Sequence, residues 1–465
     1  MRQQGSYIRK IGRYGYSHYG WNGDINMIIK NGNVIDSENN RVFQADIYIK
    51  DGKIAKIVES DNKGNVDEVD EFLSFAHEDR NNFSEIVIDA TGLYVGPGLC
   101  DTHVHFRDPG FTHKEDINTG AEAAKAGGYT SIVLMANTNP KVDNVDTLKY
   151  VLEKGAKTGI NIYSCANVTM GMEGKELTDM YTLKSVGAVG FTDDGIPLMD
   201  KDIVFNAMQI TAKLQMPISF HEENKELISE NGINAGMASD YYHVSGSPKE
   251  AEISMIDRDI KIAKQVPSAC VVIQHISTKE GVELVRNAKN SGINVHAEGT
   301  PHHFSLTEMD AIKFGTNAKM NPPLRTEEDR QAIVEGIKDG TIDIIATDHA
   351  PHSFEEKDKP MTEAPSGIIG LETAFSLAIQ NLVNRGALTY PELFKRMSYA
   401  PCKLYNLPGG VIKEGAPADL VIFNPSEVWE VTSFKSKSSN SPFLGKRLPG
   451  VIKYTICNGK AVYIK

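Results

Sequence analysis

Five stretches of the chain end an apolar run on a side chain able to hold a metal ion or move a proton. His103 and His105 close GLCDTHVHFRD, Asp193 and Asp194 sit in FTDDG, His221 ends SFH, His275 ends IQH and Asp348 lies in ATDHAPH. His103 and His105 stand two apart on what reads as extended chain, so both imidazoles face the same way. Imidazoles together with two carboxylates suit Zn²⁺ and leave room for water or substrate. An HxH pair alone is a weak motif, and a lone strand-end histidine is more often a satisfied polar side chain. Five strand ends that each deliver a donor are hard to obtain by chance. In FTDDG, adjacent strand residues point to opposite faces, so Asp193 and Asp194 cannot both reach one centre. Both stay open on geometry. Asp194, at the edge where the strand breaks into Gly195, is the better placed. The remaining histidines read more plainly: His18, His77, His243 and His296 as surface or packing residues, His302 and His303 as neighbours of the site without a role.

Such donors must be carried by elements that converge. SIVLMAN (131–137), AVGFTDD (188–194), MPISFH (216–221), CVVIQHIS (270–277), INVHAEGT (293–300) and IDIIATDH (342–349) recur between about 99 and 400, with helical patterns such as TGAEAAKAGG (119–128) and EEDRQAIVEGIKDG (327–340) between them. Strands alternating with helices imply parallel βαβ units, and this many predict an α/β fold, a (β/α)₈ barrel over 99–404 whose strand C-termini share one face. An open doubly wound sheet is the alternative, but no GxGxxG follows an early strand. MIIKNGNVID (27–36), ADIYIKDGKIAKIV (45–58) and EIVIDATGLYVGPG (85–98) read as short strands with NG and DG turns. GAPADLVIFNP (415–425) and GVIKYTICNGKAVYIK (450–465) match them in style. Both ends are therefore expected to form one small sandwich-like β unit, 26–98 with 405–465. Residues 1–25 read as an N-terminal extension, 59–84 as an acidic surface excursion, and the polar stretch 353–365 as a loop beside the site, either a lid or ordinary surface.

Composition bounds the rest. The chain has 465 residues, 40% hydrophobic and 24% charged, which excludes a disordered or collagenous protein. Lys and Arg total 49 against 61 Asp and Glu, a net charge of −12 that argues against a nucleic-acid partner. The five scattered cysteines form no CxxC pair and point to a reducing, cytoplasmic compartment. No apolar run approaches the ~18 residues of a membrane span, and the N-terminus has no signal-peptide core.

With these residues in hand, the chain from about 27 to 465 resembles the class I dihydroorotases of the amidohydrolase superfamily, in the subgroup marked by FTDDG. The resemblance rests on DTHVHFRDPG (101–110), THKED (112–116), ANTNP (136–140), FTDDG (191–195), QHIST (274–278), KMNPPLR (319–325), TDHAPH (347–352) and APSGIIGLET (364–373). It implies zinc-dependent, reversible cyclisation of N-carbamoyl-L-aspartate to L-dihydroorotate in pyrimidine synthesis. His103, His105 and Asp348 would hold one Zn²⁺ and His221 and His275 a second, with Asp194 bridging where many superfamily members use a carboxylated lysine. Asp348 would be the catalytic acid and base. Arg107, Asn137 and His352 would bind the substrate carboxylate, Asn321 and the backbone at Ser366 and Gly367 the ureide. Two departures from the usual text, Met135-Ala136 before NTNP and Ser366-Gly367 after AP, are modest. The resemblance further implies a homodimer and possible association with aspartate carbamoyltransferase, in the cytoplasm, and no nucleic acid or membrane. The rival readings are a hydantoinase, dihydropyrimidinase or allantoinase, which show a lysine in the FTDDG strand, and a non-catalytic partner of aspartate carbamoyltransferase, which would lack ligands.

Overall fold

The architecture comes from a computed structural model that describes residues 8–10, 27–60, 86–230 and 232–465. Eight parallel strands form its centre. Leu99–Val104 (β1), Tyr129–Leu134 (β2) and Asn161–Ser164 (β3) pair in order. Phe191–Thr192 (β4), Pro217–Phe220 (β5), Cys270–Ile273 (β6), Val295–Gly299 (β7) and Ile344–Ile345 (β8) form the second run. Parallel bridges Ala166–Phe191 and Val104–His349 join the two runs at both edges, so the sheet closes on itself as the sequence pattern predicts. β3, with the half-polar text NIYS, is the strand that hydropathy marks least.

Helices pack around this ring and are started by side-chain caps. Asp116 accepts from the Asn118 and Thr119 amides to begin Ile117–Ala126, and Thr326 caps Glu327–Asp339 in the same way. Small residues set the first helix close to β1: a Cβ on Gly120 would lie 2.3 Å from the Phe106 ring. The barrel core, among it Tyr129, Phe191, Ile218, Ile273 and Ile345, is fully buried.

Among the described residues, the chain ends build a nine-stranded sheet. Its central stitch is Tyr94–Pro97, which pairs with Leu420–Phe423, residues more than 320 positions apart. Its own apolar layer includes Ile29, Ile47, Ile54, Leu420 and Ile456. Asp51-Gly52 and Asn458-Gly459 carry positive φ at both positions and turn two hairpins, as DG and NG pairs do. Asn31-Gly32 differs from expectation. It lies inside the single strand Met27–Asp36 at a bulge, where the register to the neighbouring strand shifts between Ile29 and Gly32 and where a Cβ on Gly32 would meet Val95 at 2.6 Å. From the presumed extension, Ile8–Lys10 adds an antiparallel strand to Ile86–Asp89. His18, His77 and most of 59–84 lie outside the described residues.

Candidate active site

Every strand-end donor singled out in the sequence, Asp193 excepted, reaches one face of the barrel. His103 Nε2 lies 3.3 Å from Asp194 Oδ1 and 3.5 Å from Asp348 Oδ1. His105 Nε2 lies 3.0 Å from Asp348 Oδ1 and 3.4 Å from Asp194 Oδ2. His275 Nε2 and His221 Nδ1 approach Asp194 Oδ1 at 3.7 and 3.9 Å. Asp194 thus touches all four imidazoles, the position of a bridge. Asp193 turns away, and its carboxylate accepts from the Val168 amide at 2.8 Å and from the Thr169 amide and hydroxyl. The two carboxylates, in the turn that follows Phe191–Thr192, thus diverge, and Asp194 is the one among the imidazoles.

The donors fit a metal. Three overlapping triads, His103/His275/Asp348, His103/His105/Asp194 and Asp194/His221/His275, each bring their ligand atoms within 4.8 Å of one another, and all six residues are buried. His103 Nε2 and Asp194 Oδ1 face each other without a hydrogen-bond partner, which buried polar atoms avoid unless something else occupies them. Nitrogen and oxygen donors in this number suit Zn²⁺. Burial opposes charge on the Asp194 and Asp348 carboxyls, yet the imidazoles beside them hold both below the usual carboxylate range.

The imidazoles are held from behind. His103 Nδ1 donates to Glu298 Oε2 at 2.9 Å, and the other Glu298 oxygen accepts from Thr102 at 2.8 Å. His105 Nδ1 lies 3.0 Å from Asn137 Oδ1, and His221 Nε2 lies 3.2 Å from Asn321 Nδ2 and 3.5 Å from Glu223 Oε2. A partner on one ring nitrogen fixes the tautomer and leaves the other free to ligate. Glu252 does similar work for the chain after His275, accepting from the Ser277 and Thr278 amides at 3.1 and 2.9 Å. Arg107, His275 and Asp348 all adopt positive φ (59°, 32° and 49°), a strained conformation for such side chains and one that concentrates at working sites.

These residues line a cleft of about 410 Å³, which every predicted site residue borders except His103, set behind it. On one wall, Arg107 Nε donates to Pro351 O at 3.2 Å, so its terminal nitrogens remain for a ligand. His352 Nε2 donates to Ser366 O at 2.9 Å; burial and the neighbouring Arg107 cation push this imidazole far below its ordinary pKa. Gly367 plays a different part from the one expected. Its N–H goes to Lys319 O, and its C=O accepts from Asn440 Nδ2 and Lys357 Nζ, so its backbone is already engaged. Its lack of a side chain shapes the wall, since a Cβ would lie 2.7 Å from Ala350 Cβ. Stretch 353–365 contains a helical turn, Phe354–Lys357, and is pinned by two buried lysines. Lys319 Nζ donates to Met361 O and Ala364 O, Lys357 Nζ to Pro365 O and Gly367 O. Sequence reasoning passed over Lys319, Glu298 and Asn440. Lys319 stood within the quoted KMNPPLR and Glu298 near the end of the quoted INVHAEGT, whereas Asn440 carries no local signal. Of the histidines without a role, His302 and His303 are buried, His243 is exposed and His296 is partly covered.

The amidohydrolase family matches residues 94–462. A dihydroorotase of Clostridioides difficile (strain 630) is 53% identical over 94% of this chain and 99% of its own length. A dihydroorotase of Streptococcus pneumoniae serotype 4 is 47% identical over the same shares. Among solved structures, an L-hydantoinase (dihydropyrimidinase) from Arthrobacter aurescens superposes with a TM-score of 0.80 at 26% identity, covering 95% of this chain and 96% of that one. A D-hydantoinase from Thermus sp. gives 0.78 at 22%, over 94% and 96%, and supports the fold alone. The chain belongs to the amidohydrolase family and, within it, to the dihydroorotases.

Proposed function

We propose that this cleft carries out the dihydroorotase reaction, the reversible cyclisation of N-carbamoyl-L-aspartate to L-dihydroorotate, with Zn²⁺ held by His103, His105 and Asp348, by His221 and His275, and by Asp194 between them. The observation that carries this reading is the ring of four imidazoles and Asp348 around Asp194, with the Arg107 cation on the wall of the same cleft. Divalent metal bound there supplies Lewis acidity that polarises the ring carbonyl and acidifies water. Asp348, kept ionised beside His105, takes the proton of the attacking water and returns it to the departing ring nitrogen. Arg107 offers its terminal nitrogens as a fork to the substrate carboxylate, with Asn137 and His352 flanking it. Asn321 and the backbone at Ser366 face the ureide, and Gly367 gives that wall its shape.

The hydantoinase reading is disfavoured by the aspartate, not lysine, at the end of β4, and the non-catalytic reading by the full ligand set. Zinc analysis with L-dihydroorotate hydrolysis and carbamoyl-aspartate cyclisation tests the proposal; a zinc-loaded protein inactive in both directions overturns it. The same reading divides the chain into an extension (1–25), a β unit (26–98 with 405–465) and the barrel (99–404). It also includes a homodimer, a cytoplasmic place and association with aspartate carbamoyltransferase, which sizing and co-purification examine.

A further inference from the structure

The wall that carries Arg107 and His352 is braced by a segment from the far end of the chain. Residues 435–441 cross behind it, tied down by Glu372, which accepts from the Lys435 amide at 2.8 Å, and by Glu115, which accepts from the Lys437 amide at 3.1 Å. Lys437 Nζ donates to Thr112 O, and Ser438 Oγ to Lys114 O. This anchoring delivers Asn440, 4% exposed, to the back of the cleft. Asn440 Oδ1 accepts from the His352 amide at 3.1 Å. Its Nδ2 donates to Ala350 O and Gly367 O, both at 3.0 Å, and its own carbonyl accepts from the Ile369 amide. Both donors and the oxygen of one side-chain amide, with the same residue's main-chain carbonyl, therefore span two backbone stretches, 350–352 and 366–369. The first holds Pro351 O, on which Arg107 rests, and His352; the second holds Ser366 O, on which His352 rests.

We propose that Asn440 is a positioning residue for recognition of the substrate carboxylate. It sets the separation of the two stretches and, through Pro351 O and Ser366 O, the aim of the Arg107 and His352 pair. It touches none of the strand-end metal-site donors, so its effect falls on substrate binding and leaves the metal centre alone. The inference rests on the dihydroorotase reading.

The test uses full-length Asn440→Ala and Asn440→Asp beside the wild type, with KM and kcat for L-dihydroorotate and zinc content measured together. Alanine leaves the His352 N–H and Ala350 O without a partner and Gly367 O with only Lys357 Nζ, and a displacement on the order of 1 Å at a positioning group can cost up to about 100-fold. The expected result is a KM raised at least tenfold, kcat within about threefold, and unchanged zinc. Aspartate keeps the acceptor for the His352 amide but turns a charged oxygen toward two carbonyls. Its KM should be raised at pH 8 and fall toward wild type at pH 6, as protonation restores one donor. If Asn440→Ala does not fold, this pH dependence decides alone. Wild-type KM in the variants, a raised KM in Asn440→Asp that is the same at both pH values, or parallel loss of kcat and zinc overturns the inference. A wild type inactive on dihydroorotate overturns the underlying reading and this inference with it.

Discussion

Replacing Arg107 by methionine isolates recognition of the substrate carboxylate. Arg107 spends Nε on Pro351 O, 3.2 Å away, and its Nη2 lies 3.4 Å from His352 Nε2, a nitrogen already donating to Ser366 O. The two terminal nitrogens are therefore left to meet a carboxylate. Hydrogen bonds to charged groups contribute about 1.5–3 kcal/mol each, so losing a two-bond fork removes roughly 3–6 kcal/mol. At about 1.4 kcal/mol per factor of ten, kcat/KM for L-dihydroorotate should fall by roughly 10²–10⁴. Dihydrouracil, the same ring without the carboxylate, cannot use the fork, and any ring opening it undergoes should change little. Both rates can be followed by loss of ring absorbance, with zinc content and Tm confirming an intact fold. A loss below about tenfold on dihydroorotate, or an equal loss on both rings, would refute the reasoning.

Asp348→Asn should keep its fold and lose about 10²–10⁴-fold in kcat, the usual worth of a positioned acid and base; turnover above a tenth of wild type removes Asp348 from that role. Chelation should abolish activity and lower Tm, because metal bound only by the folded state stabilises it, and added Zn²⁺ should restore both. A metal-free protein with full activity and unshifted Tm would contradict the ligand set. Burial pushes the Glu372 carboxyl from the ordinary 4.5 up to about 7. The native state then holds this proton more tightly than the unfolded chain between those values, so stability is fully present below pH 4.5 and falls as pH rises towards 7, by about 3 kcal/mol at most. Glu372→Gln should remove that part of the slope in urea unfolding at pH 5 and 7.5; identical slopes in the two proteins would exclude it.

The donors were legible because a parallel barrel makes them so. A strand must be apolar where it packs inside the ring and becomes free to carry a polar ligand only where it ends. His221 after Pro217–Phe220 and His275 after Cys270–Ile273 therefore stand out against their own neighbours. For Asp193 and Asp194 the sequence allowed only one to reach the centre and favoured Asp194 at the Gly195 edge; in the fold Asp194 lies among the imidazoles and Asp193 faces the Val168 and Thr169 amides. The residues that aim these donors have no such contrast. Glu298, near the end of β7, could be read as one more donor until ring closure brings it to His103 Nδ1, 195 positions earlier. Asn440 sits in KSKSSNS, a text that by itself says only loop, and gains its meaning from Ala350 and Gly367, 90 and 73 positions away. Asn31-Gly32 differs from its local text for a related reason: the text is that of a turn, but the pairing of Met27–Asp36 runs through it with a register shift, and Val95 across the sheet leaves room only for glycine. Which atom a residue can offer is a local property, written in side-chain type and strand period. Where that atom points is set by pairings that exist only once the chain has closed, so the donor atoms were readable in this sequence and their orientation was not.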